Sequence, residues 1–162
     1  MSERRLNVLV RRLGHHRWFS TVLRPLVPVD RLVGRLTSGR VLALGIVPSL
    51  LLTTTGRRSG RPRTTPLTYA MDGDSFVVIG SNWGRPHQPA WALNLLDNPH
   101  ATVRLAGREV PVRARRAVGA ERERLFPLLL RLWPAYATYV ERAAAREIPV
   151  FVLERQPAQP SR

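Results

Sequence analysis

Residues 50–81 read LLLTTTGRRSGRPRTTPLTYAMDGDSFVVIGS, and this stretch decides the fold. It contains three extended apolar or β-branched runs, which cover 50–55, 64–71 and 76–80. Runs of this length, separated by Gly, Pro and an Asp-Gly pair, are typical of strands joined by tight turns. The stretch therefore predicts three successive antiparallel strands.

The connection between the first two runs, residues 56–63, reads GRRSGRPR and contains four arginines. Glycine permits left-handed turns, and successive backbone N–H groups in such a turn form a concave anion site. Guanidinium groups bind phosphate or carboxylate through two parallel hydrogen bonds. The segment predicts an anion-binding loop at a corner of the sheet, although a solvated arginine-rich hairpin tip explains the composition equally well. It is not a P-loop, because no Gly-Lys-Ser/Thr follows.

Length and composition fit one folded domain with an appendage: 162 residues, of which 44% are hydrophobic. The chain has no cysteine, which excludes disulfides and thiolate metal sites. The adjacent His15 and His16 face different ways on a helix, so we predict no metal site. The longest apolar run, 41–52, is interrupted and shorter than the roughly 20 residues of a membrane span. No signal peptide is expected.

Positive charge is unevenly distributed along the chain. All 26 basic residues are arginine, and the net charge is +15. Residues 1–63 contain 13 arginines and 2 acids, a net of +11, whereas residues 64–162 contain 13 arginines and 9 acids, a net of +4. This distribution predicts an anionic partner near the N-terminal part and the 56–63 loop. The exclusive use of arginine also indicates a coding bias, which weakens the case for nucleic acid.

We predict three parts in the chain. Residues 1–47 form a basic helical arm whose amphipathic pattern is typical either of a membrane-surface helix or of a helix packed on its own domain. Residues 48–155 form the main domain, and the polar tail 156–162 is expected to be disordered.

The main domain continues with alternating strands and helices. Helices are predicted at 90–97, 119–133 and from Pro134 onwards, and further strands at 101–105, 109–117 and 148–154. Six extended segments with helices between the later ones predict a mainly β, α+β fold: a small antiparallel barrel or curled sheet with flanking helices. On the first helix Trp91, Asn94 and Leu95 share one face. The amide of Asn94 needs partners there, so it either holds a neighbouring loop or reads the polar groups of a heterocycle.

Five motifs, in order along residues 48–155, resemble those of the deazaflavin-dependent nitroreductase family. They are LLTTTGRRSGRPRTTPL, VVIGSN, PAWALNLLDNP, ERERLFPLL, and WPAYATY followed by REIPVFVLE. The resemblance implies a split β-barrel that binds reduced coenzyme F-420, a deazaflavin with a phosphate and an oligoglutamyl tail. It also implies hydride transfer to a small acceptor such as a quinone or a nitro compound.

The resemblance implies a role for each matching position. The coenzyme's phosphate and glutamyl tail would be held by Arg57, Arg58, Ser59 and Arg63. The groove wall would continue through Thr64, Thr65, Pro66, Leu67 and Thr68. The ring would lie between Ile79, Gly80, Ser81 and Asn82 on one side and Ala90, Trp91, Ala92, Leu93 and Asn94 on the other.

The resemblance also implies where the chemistry takes place. Tyr136 would stand near the reacting face, and Tyr136 and Ser81 are the candidates for donating a proton or polarising the acceptor. Trp133 and Tyr139 would shape the acceptor pocket. A planar amphipathic ring would suit stacking on Trp91 and hydrogen bonding to Asn94.

Two positions depart from the family pattern. Asn82 stands where members often have lysine, and Trp133 replaces a tyrosine that helps form the pocket of nitro-drug-reducing members. Both departures leave coenzyme binding in place and weaken the expectation of nitroimidazole-type activity.

Two other functions stay open. One is a non-catalytic carrier of a deazaflavin or flavin on the same fold, and the other is a basic membrane-surface or nucleic-acid-binding protein that uses residues 1–47. We favour a cytoplasmic enzyme, monomeric or homodimeric, without a nucleic-acid partner. Contact of the arm with a membrane surface stays open.

Overall fold

The computed structural model describes residues 47–143 and 146–157. The predicted arm, apart from Val47, and residues 158–162 of the predicted tail lie outside this part. The strands are β1 (Ser49–Thr55), β2 (Pro62–Thr68), β3 (Ala70–Asp72), β4 (Ser75–Ile79), β5 (His100–Leu105), β6 (Arg108–Ala117) and β7 (Val150–Arg155). The helices are α1 (Ala90–Asp97), α2 (Gly119–Leu132) and α3 (Tyr136–Arg142), with a short 3-10 turn at Asn82–Gly84. None of the described helices is long and apolar enough to cross a membrane.

The seven strands form one antiparallel sheet in the order β2-β1-β5-β6-β7-β4-β3. β2 and β3 are thus the two edges, yet only Tyr69 separates them in the chain. The sheet must curl until its edges meet, which gives the predicted barrel architecture. The run predicted as one strand at 64–71 is therefore two strands: the first part pairs with β1 and the second with β4. A chain segment that closes a curled sheet has to change partners in this way.

Strands β4 and β7 are buried on both faces of the sheet, and the side chains of each strand alternate between the two faces. On β4, Phe76 and Val78 belong to one core cluster, while Val77 and Ile79 belong to the other. Helix α1 packs on the first cluster, and α2 and α3 pack on the second. This double burial explains why β4 and β7 read as continuous apolar runs rather than as alternating ones.

Candidate active site

The loop between β1 and β2 is a compact turn. The Gly56 N–H donates to the Arg61 carbonyl at 2.9 Å, and the Gly60 N–H donates to the Gly56 carbonyl at 2.7 Å. A Cβ on Gly56 would lie 2.8 Å from Ser59 Oγ and 3.1 Å from the Arg61 carbonyl oxygen, so a larger residue would crowd the backbone of the turn. The side chains that leave the turn are exposed, namely Arg57, Arg58, Arg61 and Arg63. Within residues 47–143 and 146–157 none of these four makes an ion pair, so their charge is open to an anion.

The buried side chain of Asn94 ties this loop to α1. Asn94 Oδ1 accepts a hydrogen bond from the Arg57 N–H at 3.1 Å, and Asn94 Nδ2 donates to Thr54 Oγ1 at 3.0 Å. Of the two alternatives that the sequence leaves open for this amide, these contacts match the first, in which Asn94 holds a neighbouring loop.

Strand β2 runs from the arginine loop along an edge of the sheet. Its residues 64–68 are half-buried, and Pro66, which has no N–H to donate, suits an edge strand. Thr64 and Thr53 share a hydrogen bond between their hydroxyls at 2.9 Å. At about 3.3 Å per residue, the five steps from Arg63 to Thr68 span roughly 17 Å. The predicted groove wall therefore connects the cationic loop to the other end of the barrel.

At that other end, Thr68 hydrogen-bonds to the phenol of Tyr136 at the start of α3. Only 8% of Tyr136 is exposed, and burial raises its pKa above the usual value for tyrosine, more than the hydrogen bond to Thr68 lowers it. The phenol therefore stays protonated at neutral pH. It can donate a hydrogen bond, but it cannot serve as a base.

Behind Tyr136 lies a cluster of aromatic rings. Tyr139 is 1% exposed and packs edge-on against Tyr136 and against Trp83, with centroid distances of 6.1 and 5.9 Å. Trp133 Nε1 donates to the Tyr139 hydroxyl at 3.4 Å. Because Tyr139 is enclosed, its contacts favour a supporting position, while the half-buried Trp133 and Trp83 are the rings that a ligand can reach. Trp83 has no role in the sequence-based prediction, although it stands in the turn-rich segment after β4.

The segment after β4 adopts an unusual backbone. Asn82, Trp83 and Gly84 all have positive φ, at 45°, 59° and 74°. The Asn82 side chain donates to the His87 carbonyl at 2.8 Å and so stabilises the same segment. Ser81 is half-buried, and its hydroxyl makes no hydrogen bond inside the described part of the chain.

The predicted ring-lining residues divide into accessible and enclosed ones. Ile79 and Gly80 are buried, and Ala92 is fully buried. Trp91 packs edge-on against Phe151 at 5.7 Å in the core, so its contacts do not support the predicted stacking on a coenzyme ring. The reason is that the face of α1 that bears Trp91 points inward. The side chains left open on the predicted two walls belong to Ser81, Asn82, Ala90 and Leu93.

The structure combines a curled antiparallel barrel with an exposed cationic loop and a buried phenol at the two ends of one edge strand. This combination suits a protein that binds an elongated anionic coenzyme. Comparison with known proteins points to the same class of protein. Residues 29–155 match the family described as F420H(2)-dependent quinone reductase. An F420H(2)-dependent quinone reductase of Mycobacterium tuberculosis is 37% identical over 130 residues, which cover 74% of this chain and 83% of the relative.

Two solved structures show the same fold. An F420-H2 dependent reductase is 35% identical, has a TM-score of 0.61, and aligns over 66% of this chain and 94% of its own. A structure described as a domain-swapped dimer is 32% identical, has a TM-score of 0.62, and aligns over 80% of this chain and 99% of its own. The chain therefore belongs to the F420H(2)-dependent quinone reductase family. The resemblance to the deazaflavin-dependent nitroreductase family is confirmed as membership of an F420-dependent reductase family.

Proposed function

We propose that this chain oxidises reduced coenzyme F-420 and reduces a quinone in the groove between the arginine loop and Tyr136. One observation supports this more than any other. Four exposed guanidinium groups with no acidic partner in the described residues lie at one end of an edge strand, and a protonated buried phenol lies at the other. Family membership supplies the identity of the coenzyme.

The residues present fit this coenzyme. Its phosphate and glutamyl carboxylates need cationic donors, and charge-assisted hydrogen bonds from guanidinium groups are the strong kind. Arg57, Arg58, Ser59 and Arg63 would hold the tail, and the tight turn at Gly56 fixes the backbone from which they project. The half-buried threonines of β2 would continue the wall towards the ring.

The coenzyme, when bound, supplies the hydride. The chain would orient the ring, exclude water and supply the proton that the acceptor takes up. The ring would lie between the Ser81–Asn82 side and the exposed end of α1 at Ala90 and Leu93. The Tyr136 phenol would donate a hydrogen bond to the acceptor oxygen, since its raised pKa keeps the proton in place. The uncommitted Ser81 hydroxyl is the better candidate for passing a proton from solvent.

We propose a quinone rather than a nitro compound as the acceptor. An F420H(2)-dependent quinone reductase is among the relatives that match. Asn82 stands where family members often have lysine, and Trp133 replaces a tyrosine that helps form the pocket of nitro-drug-reducing members. The indole N–H of Trp133 is directed at Tyr139, so this side chain presents a ring rather than a hydroxyl to an acceptor. The relative described as a domain-swapped dimer supports a homodimer, which light scattering after gel filtration would test.

The test is a fluorescence titration of the purified chain with coenzyme F-420, followed by anaerobic oxidation of the reduced coenzyme by a menaquinone analogue. Arg58→Ala and Arg63→Ala should each weaken coenzyme binding about tenfold or more, because a charge-assisted hydrogen bond contributes about 1.5–3 kcal/mol. Arg108→Ala is the matched control and should bind normally. Leu51 pairs with Arg104 and Thr54 with Ala101, which puts the β5–β6 turn at the opposite end of the sheet from the arginine loop.

Absence of coenzyme binding at micromolar concentration would contradict the proposal. Binding without acceptor-dependent oxidation across a panel of quinones would favour the carrier function. If the chain does not bind the coenzyme but binds DNA or anionic vesicles with an affinity that falls steeply with salt, the result would favour a basic membrane-surface or nucleic-acid-binding protein.

A further inference from the structure

The turn after β4 is held by a side chain from a distant part of the sequence. Arg146 Nε donates to the Arg85 carbonyl at 2.8 Å, and Arg146 Nη2 donates to the Ser81 carbonyl at 2.9 Å. Arg146 Nη1 lies 3.3 Å from both the Gly80 carbonyl and Gln88 Oε1. All three nitrogens of one guanidinium are therefore engaged with the segment from Gly80 to Gln88.

This turn needs an external support. Three consecutive residues with positive φ are costly for L-amino acids other than glycine, and such a backbone persists only where its surroundings determine it. Its own hydrogen bonds are few: the Gly84 N–H donates to the Ser81 carbonyl, the Arg85 N–H donates to the Asn82 carbonyl, and the Asn82 side chain donates to the His87 carbonyl. Arg146 binds the carbonyls just before and just after the left-handed residues.

The same turn packs tightly against α3. A Cβ on Gly84 would lie 2.8 Å from the Arg142 Cβ and 3.0 Å from the Tyr139 carbonyl oxygen. Trp83 contacts the ring of Tyr139, which in turn contacts Tyr136. The turn that contains Ser81 and Asn82 and the helix that contains Tyr136 are therefore fixed relative to each other.

We propose that Arg146 is a positioning residue of the coenzyme site. By donating hydrogen bonds to three carbonyls of the left-handed turn, Arg146 places Ser81 and Asn82 against the ring. The effect of Arg146 on coenzyme binding rests on the proposed function, whereas its hydrogen bonds to the turn do not. Its hydrogen bonds to the Gly80 and Ser81 carbonyls also polarise those peptide groups, so the N–H groups of Ser81 and Asn82 become stronger donors. Lysine cannot replace this arrangement, because an ammonium lacks the planar fork of donors.

The first measurement is hydrogen–deuterium exchange of the chain without coenzyme. Arg146→Met should raise exchange by tenfold or more in peptides that cover residues 80–88, and leave the β5–β6 hairpin at 100–117 unchanged. Arg124→Met is the matched control, because Arg124 makes two hydrogen bonds to Asp72 at the surface. The control should leave residues 80–88 protected. Unchanged exchange in Arg146→Met, or equal acceleration throughout the sheet, would refute the claim that Arg146 holds the turn.

The second measurement is binding and turnover. Arg146→Met should raise the coenzyme Kd about tenfold and lower kcat, with the KM for the quinone little changed. Arg146→Lys, which keeps the charge and guards against a folding defect in the first variant, should show the same losses. Millimolar guanidinium added to Arg146→Ala should restore coenzyme affinity in part, which a general loss of stability would not allow.

The outcomes separate the two proposals. A wild-type chain that fails to bind the coenzyme refutes the proposed function, and the exchange measurement still decides whether Arg146 holds the turn. Local loosening of residues 80–88 with an unchanged coenzyme Kd and kcat would overturn the positioning role. Full restoration of affinity by Arg146→Lys would also overturn it, because charge alone would then suffice.

Discussion

Asn94→Ala is the substitution that most directly tests how the fold holds its arginine loop. The amide of Asn94 is 5% exposed and joins three elements: α1, β1 through Thr54, and the loop through the Arg57 N–H. Its removal leaves both partners without this contact. We expect lower stability together with weaker coenzyme binding, because the loop loses its attachment to the barrel.

The size of the effect follows from the two partners. Thr54 is 1% exposed, and among the described residues its hydroxyl then keeps only a 3.5 Å contact with the Arg63 carbonyl, so it is left poorly satisfied at a cost of about 1–3 kcal/mol. Arg57 is exposed, so water can reach its N–H and the loss there is nearer 1 kcal/mol. The sum is about 2–4 kcal/mol, or roughly 5–15 °C in Tm for a domain of this size.

Urea unfolding followed by tryptophan fluorescence measures the stability, and a fluorescence titration measures coenzyme affinity. Ordering a loosened loop on binding should cost about 1–2 kcal/mol, which makes the affinity roughly fivefold to thirtyfold weaker. Asn98→Ala is the matched control. Asn98 is half-buried at the end of the same helix, and its Oδ1 accepts one hydrogen bond from the His100 N–H. Its removal should cost about 1 kcal/mol or less and leave affinity unchanged.

A variant Asn94→Ala with wild-type stability would refute the claim that this amide is a structural link. A variant that loses stability but binds coenzyme normally would separate the loop's attachment from its function. Equal losses in Asn94→Ala and Asn98→Ala would show that the polar contacts of α1 contribute without regard to their position.

Three further results are expected. Thr68→Val leaves the buried phenol of Tyr136 without its partner, so the free energy of unfolding should fall by about 1–3 kcal/mol in urea titrations, while Thr65→Val on the same strand should cost less. Tyr136→Phe should lower kcat with little change in coenzyme Kd. Because the raised pKa keeps the wild-type phenol protonated, the wild-type rate should show no loss from phenol ionisation between pH 7 and 10. A sigmoidal fall in rate centred below pH 10 that vanishes in Tyr136→Phe would contradict this expectation. The hydrogen bonds from Arg124 lower the pKa of Asp72, so the stability they provide is present above about pH 4 and lost as the pH falls below it. Asp72→Asn should flatten this part of the pH–stability profile, and an unaltered acid limb would show that the pair contributes nothing.

Local signals in the sequence were sufficient for several elements. Helix α1 has the predicted bounds of 90–97, because Pro89 suits a helix start and Asn98-Pro99 prevents its continuation. The predicted β5–β6 hairpin is confirmed: its turn uses Ala106 and Gly107, both with positive φ. In such cases the information lies within a few residues of the feature itself.

Features that depend on distant partners were not predictable in this way. The division of the 64–71 run at Tyr69 carries no glycine or proline signal; it follows from closure of the sheet. Arg146 binds groups 58 to 66 residues earlier in the chain, and in a sequence with 26 arginines nothing local distinguishes it. For Trp91 the shared face was predicted correctly, but the pattern of spacing alone cannot tell whether that face meets the core or a ligand.

Closure of the barrel and formation of the candidate site involve the same residues. β2 ends at Thr68, one residue before the chain crosses to the other edge of the sheet as β3, and Thr68 is the residue that binds the Tyr136 phenol. The other end of β2 leads into the arginine loop, which Asn94 fastens to α1. An edge strand has one side without a strand partner, so its N–H and C=O groups on that side are available to a ligand. The contacts of Thr68 and Asn94 hold the two ends of β2, and the hydrogen bonds of the buried Asn94 amide offset its cost of desolvation.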